Sequence, residues 1–127
     1  KEGATSFWEK YNPEETGTRH LAMYGRPYGK SLCHAWGASP IYLLGKYYLG
    51  VQPTKPGYEE YTVRPCLGGL DWMEGNVPTP FGTVYVKMDK NTVTVKSDGG
   101  KGTLIAGIGE NEKHIEIKPG KEITINL

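Results

Sequence analysis

Thr83-Val84-Tyr85-Val86-Lys87-Met88 is followed, after Asp89-Lys90-Asn91, by Thr92-Val93-Thr94-Val95-Lys96. Apolar side chains fall on every second position (Val84, Val86 and Met88, then Val93 and Val95), with Thr, Tyr and Lys between them. Period two is the signature of a strand with one face buried. The separator carries Asp and Asn, residues that tolerate tight turns, so the two runs predict an antiparallel hairpin. The same pattern recurs in Glu60 to Arg64, Thr103 to Ile108, Lys113 to Lys118 and Glu122 to Leu127. Between these runs stand Ser97-Asp98-Gly99-Gly100, Gly109-Glu110-Asn111 and Lys118-Pro119-Gly120. Six or more short strands with turn chemistry between them predict a small antiparallel sandwich or meander.

Upstream the period changes. Val51-Gln52-Pro53-Thr54-Lys55-Pro56-Gly57 reads as a connector, and the stretch Ser31 to Leu49 before it is helical in pattern. Leu32, Trp36, Leu43 and Tyr47 recur at helical spacing, Ala35 and Leu44 widen that face, Ser31 suits an N-cap and Gly50 a stop. Pro40 removes an N–H and clashes one turn back, which predicts a kink near Trp36 and Gly37 or two short helices. An element this aromatic needs partners on more than one side. Residues 12 to 30 lack periodicity and read as a long loop, either functional or poorly ordered, in which Arg19, His20 and Arg26 either meet acidic or hydroxylated substrate groups or, the commoner case, are solvated. The chain is thus α+β.

Fifteen Lys and Arg against fourteen Asp and Glu leave a formal charge of +1, and the basic residues are scattered, which gives no nucleic-acid footprint. The apolar-rich run from Ala35 to Val51 is broken by Gly37, Pro40, Gly45 and Lys46, so no membrane span is expected. The N-terminus lacks the basic-then-apolar layout of a signal peptide, and nothing distinguishes one cellular compartment from another. Cys33 and Cys66 have no CxxC spacing and read as free, buried thiols. His20, His34 and His114 are too far apart for a helical metal pair, so neither metal nor cofactor is expected.

The chain opens on Gly3-Ala4-Thr5-Ser6-Phe7-Trp8-Glu9-Lys10-Tyr11, which sets one carboxylate among aromatic residues. A signature this close to the start, with no initiator Met, suggests a piece of a longer protein. Several blocks together carry a resemblance: this opening, Ser31-Leu32-Cys33-His34-Ala35-Trp36-Gly37-Ala38, Tyr47 to Pro53, Pro56-Gly57-Tyr58 through Arg64-Pro65, Gly69-Leu70-Asp71-Trp72, and Thr79-Pro80-Phe81-Gly82. In this order they resemble the C-terminal end of bacterial α-L-rhamnosidases of glycoside hydrolase family 78. The resemblance implies that residues 1–51 are the last helical part of an (α/α)6 six-hairpin barrel. It implies that residues 52–127 are an antiparallel β-sandwich C-terminal domain.

The same resemblance implies that Glu9 is the general base of an inverting hydrolase acting on rhamnose-containing glycosides. Inversion needs a carboxylate to take a proton from the attacking water, across the sugar from an acid at roughly 6.5–9.5 Å. Taken alone, a carboxylate beside Lys10 is more often a solvated surface group. His34 matches a pocket histidine that hydrogen-bonds rhamnose hydroxyls, and its alternative is a structural histidine at a helix start. Trp8 either lines the sugar site beside the base or buries area; for Trp36, packing is expected. Tyr11 stands where many relatives have a second Trp, and Cys33 where some have Asn. Nothing here matches the family's general acid, which the resemblance places upstream in the remainder of the barrel, so the chain alone is expected to be inactive. Two other readings stay open. One is an accessory module, supporting or carbohydrate-binding, for which an exposed strip formed by Tyr58, Tyr61, Trp72 and Phe81 would argue; core positions are expected for them. The other is a six-hairpin glycosidase for a different sugar.

Overall fold

The computed structural model describes residues 4–127, so Gly3 of the opening motif lies outside the described residues. The chain forms two compact units, one up to Tyr42 and one from Leu43 to Leu127. In the first, residues 6–9 run against residues 31–34. The Glu9 N–H donates to the Ser31 carbonyl at 2.9 Å and the His34 N–H to the Phe7 carbonyl at 2.8 Å. Gly37 lets this pairing close, because a Cβ there would stand 2.9 Å from that of Phe7. The segment read as a loop carries a 3-10 turn, Gly17–Leu21, and a tight turn that bridges Met23 and Arg26. His20 and Lys30 are buried, which corrects the solvated reading of His20. Tyr11 stacks on the His20 ring at 5.9 Å and Trp8 meets it edge-on at 6.2 Å, so aromatic packing takes the imidazole out of water.

The helical region begins later than Ser31 and changes pitch twice: a 3-10 turn Ala35–Ala38, α1 Ser39–Leu43, and a π turn Leu44–Tyr48. Pro40 is the reason for the first change. It sits in the first turn of α1, where its missing N–H costs nothing. His34 rather than Ser31 is the N-cap residue, without a side-chain cap bond. Trp36 is 84% exposed, against the expected packing, and Leu32, Ile41, Leu43, Leu44 and Tyr47 are exposed as well. Both cysteines are free, and both are exposed rather than buried.

The second unit is built from two four-stranded sheets. In one, β1 (Val51–Pro53), β2 (Glu60–Val63), β6 (Lys101–Ala106) and β7 (Lys113–Ile117) lie in that order. In the other, β3 (Trp72–Thr79), β4 (Gly82–Asp89), β5 (Thr92–Ser97) and β8 (Glu122–Asn126) do so. The hairpin read from residues 83–96 is present, with Val86 opposite Val95 and Met88 opposite Val93. One pairing departs from the antiparallel expectation: β2 and β6 are parallel, Tyr61 facing Gly102 and Val63 facing Leu104. The chain between them builds β3 to β5 in the other sheet, so β6 returns by a crossover instead of a hairpin.

One apolar cluster takes side chains from both sheets, including Val51, Tyr61, Val63 and Leu104 from the first and Met73, Val84, Val86, Val93 and Val95 from the second. Each fully buried Val contributes about 1.5–3 kcal/mol relative to exposure. The helical end closes over β3 through two glycines. A Cβ at Gly75 would stand 2.8 Å from Leu49, and one at Gly45 3.3 Å from Val77.

Tyr61 is 2% exposed and sits at the centre of this core. Its ring covers Gly102, where a Cβ would come within 2.6 Å of it. Its hydroxyl donates to Ser97 Oγ at 2.6 Å, and that hydroxyl in turn donates to the Gly99 carbonyl at 2.8 Å. Burial pushes the Tyr61 phenol up, which keeps it a neutral donor. Tyr58 packs beside it, as expected, whereas Trp72 and Phe81 are exposed. They occupy a strand end and a turn tip, where no second layer covers them.

Two acidic residues lock hairpin ends. Asp89 Oδ1 accepts from the Asn91 and Thr92 N–H groups, both at 2.8 Å. Asp98 Oδ2 accepts from the Thr83 N–H at 2.8 Å and the Thr83 hydroxyl at 2.6 Å. These bonds hold both carboxyls below the ordinary value of 3.8.

Gly102→Ala is expected to destabilise the chain by about 1–3 kcal/mol through overpacking against Tyr61. Tyr61→Phe should cost about 1 kcal/mol, the worth of one hydrogen bond. Urea unfolding measures both, and an unchanged midpoint for Gly102→Ala would contradict the close packing. The lowered carboxyls set a pH dependence as well. A depressed folded pKa contributes stability that is complete above the ordinary value of 3.8 and is lost as pH falls through the folded value. Melting temperature should therefore drop on acidification below that value, and less steeply in Asp89→Asn/Asp98→Asn.

Candidate active site

The pairing of residues 6–9 with 31–34 brings the two halves of the sequence motif together. Its backbone bonds set Glu9 beside Ser31, three residues before His34. The Glu9 side chain is half-buried and turns back onto this clasp. The Ser31 N–H donates to Glu9 Oε2 at 3.2 Å, and the Tyr24 hydroxyl donates to Oε1. Each carboxylate oxygen has two lone pairs, so one on each stays open to a further donor such as water.

These contacts fix the charge of Glu9. The Tyr24 hydroxyl, then the Ser31 N–H, hold its carboxyl below the ordinary value of 4.5, with a small contribution from His34 and partial burial opposing. Glu9 is therefore ionised at neutral pH. The Tyr24 phenol is pushed up by the same bond. His34 lies within electrostatic reach of Glu9, and its ring stands edge-on to Trp36 at 5.5 Å.

Trp8 adjoins Glu9 in the chain. It packs against His20 and carries the Lys30 ammonium 6.0 Å from its ring centroid. Lys30 also pairs with Glu15 at 3.7 Å. Aromatic burial and an ion pair thus fasten the segment that leads from Glu9 to Ser31. Among the described residues, no three His, Cys, Asp or Glu gather as a metal site, and no helix is long and apolar enough to cross a membrane.

Sequence reasoning missed Tyr24 and misassigned Ser31, whose backbone holds Glu9 rather than its hydroxyl capping a helix. A signal for the first exists. Met23-Tyr24-Gly25-Arg26 is a two-residue turn with Tyr24 at φ 53° and Gly25 at φ 72°. Asn-Gly is the usual pair for such a turn, and a non-glycine residue held at positive φ costs on the order of 1–3 kcal/mol. Tyrosine in that place marks a residue kept for something other than the turn.

Residues 50–98 match the family described as the bacterial alpha-L-rhamnosidase C-terminal domain. The fold resembles that of the native α-L-rhamnosidase from Aspergillus terreus, with a TM-score of 0.66 and 18% identity over 96% of this chain. It also resembles the α-L-rhamnosidase from Dictyoglumus thermophilum, with a TM-score of 0.53 and 21% identity over 98% of this chain. The chain spans only 14% and 15% of those two proteins. No curated protein matches it. By its matched domain, residues 50–98 of the chain are similar to the C-terminal domain of bacterial α-L-rhamnosidases, and by its fold the chain is similar to a part of solved α-L-rhamnosidases, as its sequence blocks imply.

Proposed function

We propose that this chain is the C-terminal part of an inverting glycoside hydrolase that releases terminal α-L-rhamnose from rhamnosides. Residues 1–51 complete its (α/α)6 barrel and residues 52–127 form its β-sandwich domain. Glu9 is the general base, His34 hydrogen-bonds sugar hydroxyls, and Trp8 lines the pocket beside the base. The general acid comes from the part of the barrel outside this chain. One arrangement supports the reading: the Glu9 carboxylate is held by two donors, one on each oxygen, within electrostatic reach of His34.

In the chemical step, a water seated on Glu9 attacks the anomeric carbon as its proton passes to the carboxylate, and the acid protonates the departing oxygen. A carboxyl held low is a weaker base than one poised near neutrality, but it keeps its ionised form well into acid. The exposed apolar residues Leu32, Trp36, Ile41, Leu43, Leu44 and Tyr47 support a helical partner, the remainder of the barrel.

A carbohydrate-binding module would need its exposed aromatics on one plane. Tyr61 lies in the core, and Trp72 and Phe81 flank opposite ends of β3, roughly 20 Å apart at strand rise. That arrangement favours a supporting role for the sandwich.

In the parent enzyme, Glu9→Gln should lower kcat on an aryl α-L-rhamnoside by about 10²–10⁴, the worth of general base catalysis. His34→Ala should mainly raise KM, by about 0.5–1.5 kcal/mol of binding. Near-normal turnover in Glu9→Gln would end the base assignment. The 127-residue chain alone should show no turnover, because it lacks an acid partner.

A further inference from the structure

We propose that Tyr24 is a positioning residue for Glu9: its hydroxyl, presented on the Tyr24-Gly25 turn, fixes one carboxylate oxygen while the Ser31 N–H fixes the other. The proposal rests on the reading of Glu9 as a base only for its catalytic consequence.

Three observations lead to it by elimination. The turn does not call for tyrosine. Met23 and Arg26 exchange both backbone bonds at 3.0 Å, and the positive φ at both central residues suits Asn-Gly or Gly-Gly. Packing does not call for it either, since Tyr24 is 72% exposed and its ring buries little apolar surface. Its hydroxyl, by contrast, bonds Glu9, fifteen residues away in sequence. An exposed aromatic in a conformation that smaller residues adopt at less cost is explained by the one polar atom at its tip.

The geometry also says what the bond does. Ser31 alone would leave the Glu9 carboxylate free to rotate about its last torsion, a broad and soft one. A second donor on the other oxygen fixes the carboxylate plane, and with it the direction of the remaining lone pairs. A water held there then meets the sugar along one line, and misplacement of about 1 Å is worth as much as 10² in rate.

Two substitutions separate this role from a structural one. Tyr24→Phe keeps the ring and removes the hydroxyl. Tyr24→Asn removes the hydroxyl and relaxes the turn. In the 127-residue chain, carboxyl ¹³C titration should show the Glu9 pKa rising in both variants, while the melting temperature at neutral pH falls slightly for Tyr24→Phe, through the lost bond, and is higher in Tyr24→Asn than in Tyr24→Phe, through the relaxed turn. Reciprocally, Glu9→Gln should lower the Tyr24 phenol pKa. In the parent enzyme, kcat should fall about tenfold to a hundredfold in both variants with KM little changed, and the acid limb of its pH profile should move up. An unmoved Glu9 titration in both variants would overturn the proposal, as would a Tyr24→Asn chain that melts lower with Glu9 unshifted. A Glu9 titration that moves while the parent's pH profile stays fixed would support the positioning contact and overturn Glu9 as the base.

Discussion

Tyr61 is the point on which the sandwich depends. It reaches from β2 in one sheet to Ser97 at the end of β5 in the other, inside a core that excludes water. A buried hydroxyl must find a partner or destabilise the fold by its lost hydration, so this bond restricts how the two sheets can slide. The ring also imposes a requirement on β6, where only glycine leaves room at position 102. The parallel pairing of β2 with β6 puts those two residues face to face. The turn after Ser97 follows from the same centre, since Ser97 holds the Gly99 carbonyl and Asp98 holds Thr83 at the start of the neighbouring hairpin.

The first unit is organised by a carboxylate in place of an apolar core. Glu9 is tied to Ser31 twice, by its own N–H and by its side chain, so the backbone pairing and the site are one structure. The other contacts of the unit are polar and aromatic: His20 meets Trp8 and Tyr11, and Lys30 meets Trp8 and Glu15. Its aromatic residues fasten a loop, and Trp36 stays exposed.

Much of the sandwich was legible because its strands alternate cleanly. Val84, Val86, Val93 and Val95 are all buried, as period two requires. Where the sequence misled, a local signal was outvoted by a distant contact. Gly102 lies outside the strand read from Thr103, yet it is a strand residue under the Tyr61 ring, and β6 runs Lys101–Ala106 in place of the expected 103–108. β3 was read only as motif, since Gly75, Asn76 and Pro78 suppress strand propensity; Gly75 is there to admit Leu49. Val51–Pro53, read as a connector, is an edge strand, a place where proline is tolerated. The candidate site was read only through family motifs. Those pointed to Glu9 and His34 and passed over Tyr24, which lies between the two blocks in a stretch without periodicity.

The central claim is that Glu9 serves as a base toward water and forms no bond to the sugar. Proton NMR of the first sugar released by the parent enzyme from an aryl α-L-rhamnoside, recorded before mutarotation, tests it most directly. The account predicts β-L-rhamnose as the initial product. Initial α-L-rhamnose would mean retention through a covalent intermediate, with two carboxyl groups about 5–5.5 Å apart, and would contradict the role given to Glu9.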